Sequence, residues 1–346
     1  MRARDLKVRV VMGAVAVLLL GFAAWAQQTE YSEKQRMNME SHVGSRTGHA
    51  TTGQNIYKRF CVGCHGELGD GLGENAMWID PKPRNFTIAI FRCRSTPTGT
   101  LPLDSDLYDT IGRGMLNSNM PHWLPLKDQD RVDLVAYVKH FSPRWVTEKP
   151  GTPIVIPPEP AVSADRIKQG RVLYQKLECW KCHGVTGRAN GPSAETLTDD
   201  ENRPIKPFNF HDSQRFKCGS TDRDMYKDFM TGLDGSPMPS FSDNVTPDQA
   251  WDLVQYLRTL QPEESPEKQI ARQLGLAPID PRQPLPSDSD TAPVQSQPTN
   301  PESQPAPQTP ANPPSPPQTS SPPQTSYNPR PAWPHSGSPQ SNNSGQ

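Results

Sequence analysis

Two short segments carry the reactive side chains of this 346-residue chain, Cys61-Val62-Gly63-Cys64-His65 and Cys179-Trp180-Lys181-Cys182-His183. Two thiols at this spacing can form thioethers to the vinyl groups of a haem, and the adjacent imidazole then supplies an axial nitrogen to iron. Two copies therefore predict two covalently bound haems c. A zinc ribbon would require a second ligand pair beside each segment, and only Cys93 and Cys218 remain. A redox dithiol would leave the histidine in both copies without a role.

The spacing also names a second axial ligand. Met120 follows His65 by 55 residues and Met238 follows His183 by 55, each just before a proline. A thioether is a soft, neutral donor that stabilises ferrous iron, so His/Met ligation by His65 with Met120 and His183 with Met238 suits electron transfer. Iron with six ligands has no open site for a substrate. The competing reading makes these methionines gap-fillers in a core. Met115, Met230 and His122 are the nearby rivals, but Met115 and Met230 do not align with each other.

The segments belong to a longer repeat that must position them. Gly53-x-x-x-Tyr57, the first Cys-x-x-Cys-His, Phe91-Arg92-Cys93, Met120-Pro121 and Asp133-Leu134-Val135 recur in the same order as Gly170-x-x-x-Tyr174, the second Cys-x-x-Cys-His, Phe216-Lys217-Cys218, Met238-Pro239 and Asp252-Leu253-Val254. An offset of 117 to 125 residues leaves each unit long enough for its own core. Each unit should open and close with a helix. Thr246 as N-cap and Pro247 at N1 start the second closing helix, with an apolar stripe through Ala250, Leu253, Val254, Leu257 and Leu260; Leu134, Val135, Val138 and Phe141 repeat it. Between these helices Gly, Pro, Asn and Asp predict loops. The expected division is residues 51–145 and 163–265 as the two units, with 146–162 as a proline-rich connector and 266–280 as a short helix or linker. Residues 27–50 read as a polar linker that holds His42 and His49.

Each unit resembles a class I cytochrome c. The resemblance rests on the opening Gly and aromatic, Cys-x-x-Cys-His, the Met-Pro loop and the closing helix with Leu and Tyr, over residues 51–145 and about 163–262. It implies a mainly α fold of two tandem class I cytochrome c domains with long loops, in which Gly53 and Tyr57 cross Leu134 and Tyr137, and Gly170 and Tyr174 cross Leu253 and Tyr256. In this family a proline after the haem motif often turns its carbonyl to the proximal imidazole. Gly191-Pro192 matches in the second unit; Gly71-Leu72 stands in the first, where the leucine carbonyl could accept the same bond, so the two haems need not have equal potentials. Each unit has a long insert with Pro83-Arg84-Asn85-Phe86 or Pro207-Phe208-Asn209-Phe210, similar to inserts in tandem cytochromes of bacterial respiratory complexes and molybdenum oxidoreductases. Cys93 and Cys218 occupy equivalent places and read either as an interdomain disulfide or as two separate buried thiols, with a metal or haem role the remaining option. His140 and His211 read as structural.

Composition sets the limits. Apolar residues make up 33% of the chain, and 19 of the 40 prolines fall in residues 281–346, which contain no Ile, Met, Phe or Cys. Such a tail cannot offset its chain entropy by burial and is expected to be disordered. The formal net charge of −1, without any long basic run, argues against a nucleic-acid partner. Arg2, Arg4, Lys7 and Arg9 precede an apolar run from Val10 to Ala26, the layout of a secretory signal peptide or, if retained, a membrane anchor over residues 1–26. Export to the periplasm follows. The expected function is an electron carrier, not an enzyme, with a periplasmic donor and a membrane-bound or soluble redox acceptor. The alternatives are a haem subunit of a membrane oxidase or dehydrogenase complex and, with less support, a diheme peroxidase.

Overall fold

The computed structural model describes residues 34–212 and 216–280. The signal or anchor segment and the proline-rich tail lie outside the described residues.

The fold is mainly helical, with one two-stranded sheet among the described residues. Strands β1 (Glu40–Val43) and β2 (Arg46–His49) pair antiparallel, Val43 opposite Arg46. Helix α1 (Ala50–Phe60) leads to α2 (Val62–His65), a single turn. After a 3-10 turn at Ala76–Trp78 come α3 (Asp104–Arg113), the closing helix α4 (Asp128–His140) and the short α5 (Arg144–Thr147). The second unit repeats the order: α6 (Ala164–Lys176), α7 (Trp180–His183), a 3-10 turn at Ala194–Thr196, α8 (Asp222–Thr231) and the closing helix α9 (Pro247–Leu260). Helix α10 (Pro266–Gln273) follows, capped by Ser265.

The hairpin corrects the linker expected over residues 27–50. Gly44, at the first position of a two-residue Gly-Ser loop, has φ +58°, the backbone such hairpin turns require. The buried Ser41 hydroxyl donates to the Val132 carbonyl at 2.6 Å, and the His49 amide donates to Asp133 at 2.8 Å. Part of the supposed linker is thus a cover for α4. For the same reason the single apolar stripe expected on the closing helix understates its burial, since every residue from Arg131 to Val138 is buried. In the second unit α9 is buried likewise from Ala250 to Leu257, and the Gln255 amide donates to the carbonyls of Pro160 and Ala161 in the connector.

Helices α3 and α8 stand where loops were expected. A capping box starts α8: the Asp224 amide donates to the Thr221 hydroxyl at 3.1 Å, and the Thr221 amide donates back to the Asp224 carboxylate at 3.2 Å. At α3, Asp106 accepts from the amides of Leu103 and Ser95.

The two units join covalently and ionically. Cys93 and Cys218 form a disulfide with a Cα–Cα distance of 5.1 Å, which settles their pairing. Arg94, whose side chain is fully buried, donates to the Thr231 carbonyl at 2.5 Å and to Asp234 at 2.8 Å across the interface. Nearby, the Asp228 Oδ1 atom is buried without a hydrogen-bond partner. Burial pushes the Asp228 carboxyl up to about 7, against the opposing charge of Lys227. A folded-state pKa raised above the unfolded value means that stability falls as pH rises from about 4 to 7 and is level above that. Asp228→Asn should therefore gain on the wild type over that window, by at most about 1.4 kcal/mol per pH unit. Urea midpoints of both proteins at pH 4.5 and pH 8 check this; an unchanged difference would refute it.

Candidate haem sites

Each attachment segment is a single helical turn set at the end of the opening helix. The Cys61 amide donates to the Tyr57 carbonyl at 2.8 Å and the His65 amide to the Cys61 carbonyl at 2.9 Å; in the second unit Cys179 donates to Tyr174 and His183 to Cys179, at 3.1 and 2.9 Å. Tyr57 and Tyr174 then close the turn from behind, each hydroxyl donating at 2.7 Å to a carbonyl just past the histidine, Gly66 or Gly184.

Imidazole orientation comes from the inserts. Nδ1 of His65 lies 3.1 Å from the Arg84 carbonyl, and Nδ1 of His183 lies 2.9 Å from the Phe208 carbonyl. This corrects the expectation that Leu72 and Pro192 would serve. Gly191 donates to the Cys182 carbonyl at 3.2 Å as Gly73 donates to that of Cys64, so Gly73-Glu74, not Gly71-Leu72, is the counterpart of Gly191-Pro192. The basis for unequal potentials offered by that comparison therefore falls away. A carbonyl bonded to Nδ1 holds the proton there and leaves Nε2 as the metal-binding nitrogen. Burial pushes both imidazoles toward the neutral form, the form that ligates.

The same inserts supply a ring for each histidine. Phe86 stacks on His65 at 4.4 Å between centroids and Phe210 on His183 at 4.8 Å. Asn85 and Asn209 form the turns that set these phenylalanines, accepting from the amides of Thr87 and His211 at 3.0 Å. The repeated Asn-Phe was the visible signal for the turn and the ring, which sequence reasoning left unassigned. His211 is held structurally, its Nε2 2.7 Å from the Thr186 carbonyl, and His140 stacks on Tyr137 at 5.2 Å.

In the first unit these groups face a cleft with about 930 Å³ of empty space, part of it open to solvent. Cys61, Cys64 and His65 line it together with Met115, Met120, Phe60, Ile79 and Leu134. The methionine loops share one frame. The amides of Met120 and Met238 donate to the hydroxyls of Ser118 and Ser236, at 3.3 and 3.4 Å. The Met120 carbonyl accepts from Met115 at 3.2 Å, and the Met238 carbonyl accepts from Leu233 at 3.0 Å. Met115 thus has a leucine as its counterpart, while Met120 and Met238 answer each other. In the second unit Met238 and Cys179 pack against one core cluster.

The donor set fits haem and not zinc. Among the described residues the sole group of three or more donors at metal spacing is Asp199, Asp200 and Glu201, which contains no cysteine or histidine.

Comparison with known proteins agrees with this geometry. Residues 167–261 match the family described as cytochrome c, and residues 48–138 match the family described as subunit III of cbb3-type cytochrome c oxidase. A chain of the reducing HAO-like protein complex of Kuenenia stuttgartiensis superposes with a TM-score of 0.60 at 42% identity, covering 61% of this chain and 96% of that one. This chain belongs to the cytochrome c family. No curated protein sequence matches it. Its two domains are class I cytochrome c domains in tandem, its two Cys-x-x-Cys-His segments correspond to two covalently bound c-type haems, and it is an electron-transfer haem protein. No helix among the described residues is long and apolar enough to cross a membrane.

Proposed function

We propose that this cytochrome is exported to the periplasm and passes single electrons between a periplasmic oxidoreductase and a respiratory-chain partner. The observation that carries the reading is the doubled ligand frame: in both units a histidine with its Nδ1 held by a carbonyl and a methionine loop held by serine. A peroxidase would need one iron with a displaceable ligand, and the two frames are built alike. When bound, each haem supplies an iron that takes up and releases one electron.

The chain's own residues do the rest. Cys61 and Cys64, and Cys179 and Cys182, would retain the two cofactors as thioethers. His65 with Met120, and His183 with Met238, would hold the two irons. Phe86 and Phe210 pin the imidazole planes, and the buried aromatic shells exclude water, which tunes the potential.

The surfaces of the two units differ in a way that suits a protein partner. Leu68, Leu72, Met77 and Trp78 follow the first attachment segment and are 68 to 80% exposed. Their counterparts in the second unit are Thr186, Asn190, Glu195 and Thr196. Exposed apolar groups clustered on one unit mark contact with another protein. The resemblances to an oxidase subunit family and to a chain of a reducing complex support a second reading, a dedicated haem subunit of such an assembly. N-terminal sequencing of the protein from membrane and soluble fractions separates the two.

An optical potentiometric titration with a haem count tests the assignment. Two haems and two low-spin waves are expected. Met120→His and Met238→His should each drop a different wave by hundreds of millivolts, within the roughly 0.8 V span that axial ligands control. One haem per chain, a high-spin wild-type component, or an unmoved wave in either variant would contradict it.

A further inference from the structure

The first cleft is not built by the first unit alone. Lys217, from the second unit, lines it beside Arg84 and Arg92. Arg92 and Lys217 are the residues immediately before the two bridged cysteines, so the disulfide delivers both side chains to one place. Arg84 is the residue whose carbonyl holds His65.

These cations are only partly matched by the protein. Arg92 is 9% exposed; its Nη2 donates to the Gly235 carbonyl at 3.2 Å and lies 3.7 Å from Asp199, while its Nε is buried with no hydrogen-bond partner. A buried guanidinium donor left unpaired is costly. Lys217 is also withdrawn from water, and burial lowers its pKa to about 8, with Arg92 and Arg84 acting in the same direction and Asp80 opposing them. Asp199, Asp200 and Glu201 offset Arg84 and Arg92 from the second-unit side, and Glu201 is itself engaged by Arg203 at 2.6 Å. What remains is a group of three cations, only partly matched, lining the cleft that holds Cys61, Cys64 and His65, where a group carrying two carboxylates would be paired.

We propose that Arg84, Arg92 and Lys217 form a cationic cradle, shared between the units, for the carboxylates of the first haem, and that the second unit thereby sets the first haem's potential. This rests on the haem reading above. Reduction adds one negative charge to the cofactor, so a nearby fixed cation favours the reduced state. Removing it lowers the potential of that haem and leaves the other unchanged.

The test is potentiometric titration of the full-length holoprotein, with haems counted chemically. In Lys217→Gln and in Arg92→Gln, the same one of the two waves should fall by about tenfold in ferrous-to-ferric ratio at a fixed potential, about 59 mV for one electron. Lys217→Arg should restore it. If glutamine prevents folding, Lys217→Met, which keeps the aliphatic stem, should give the same fall. The cradle is overturned if neither wave moves, if both move together, or if the two variants move different waves, as for residues serving only the interdomain ion pairs. Fewer than two haems in the wild type would instead sink the haem reading itself.

Discussion

Serine at both Cys93 and Cys218 is expected to lower the unfolding free energy by about 5 kcal/mol, from the entropy restored to an unfolded chain no longer closed at a sequence separation of 125. Few single links in the molecule carry so much, because this one spans the two units. The native interface would persist, since Arg94 still reaches Asp234 and Thr231, and the Gly99 amide still donates to Asp234 at 2.8 Å. The variant should therefore keep both haems and their spectra at low denaturant while its guanidinium midpoint falls. Wild type unfolded under strong reductant should approach the same midpoint. Equal midpoints for variant and oxidised wild type would remove the bridge from any stabilising role.

Alanine at Gly53 or Gly170 should damage its own unit selectively. A Cβ at Gly53 would overlap the Asp133 carbonyl oxygen and come within 2.9 Å of the Tyr137 Cβ; at Gly170 it would overlap the Asp252 carbonyl oxygen and come within 2.7 Å of the Tyr256 Cβ. The obstacles are helix backbone, which cannot turn aside as a side chain can. Opening helix and closing helix would have to separate, which overpacking costs put at about 3 kcal/mol or more, and the attachment turn hangs from the end of the displaced helix. We expect each variant to lose the haem of its own unit and to show a lowered thermal transition. Gly44→Ala is the control: its φ of +58° imposes left-handed strain, but nothing lies within 4 Å of the added carbon, so about 1 to 2 kcal/mol is the whole cost. If Gly170→Ala melts no lower than Gly44→Ala, close helix approach is not what these glycines provide.

What the sequence by itself determined is the chemistry written in local spacing. Cys-x-x-Cys-His is read within one helical turn, so the two haem attachments needed no fold to be seen. The repeat placed Met120 and Met238 as counterparts, and the serine-held loops agree. Thr246 and Pro247 announced the second closing helix, and its capping box is present, the Gln249 amide donating to Thr246 at 3.3 Å. Gly44-Ser45 carried a hairpin signal that the polarity of the surrounding residues obscured.

The tertiary structure decided whatever depends on backbone atoms or on distant partners. The acceptors for His65 and His183 are main-chain carbonyls, which every residue possesses, so no side-chain identity could point to Arg84 or Phe208. Closing helices buried on all sides could not be foreseen from one apolar stripe, because their second cover comes from a hairpin and a connector whose hydrogen bonds to them pair a side chain with a distant main-chain group. Cysteine identity likewise carries no pairing information. Only when the two units dock do Cys93 and Cys218 come within bonding range and carry Arg92 and Lys217 with them to the rim of the first haem's cleft.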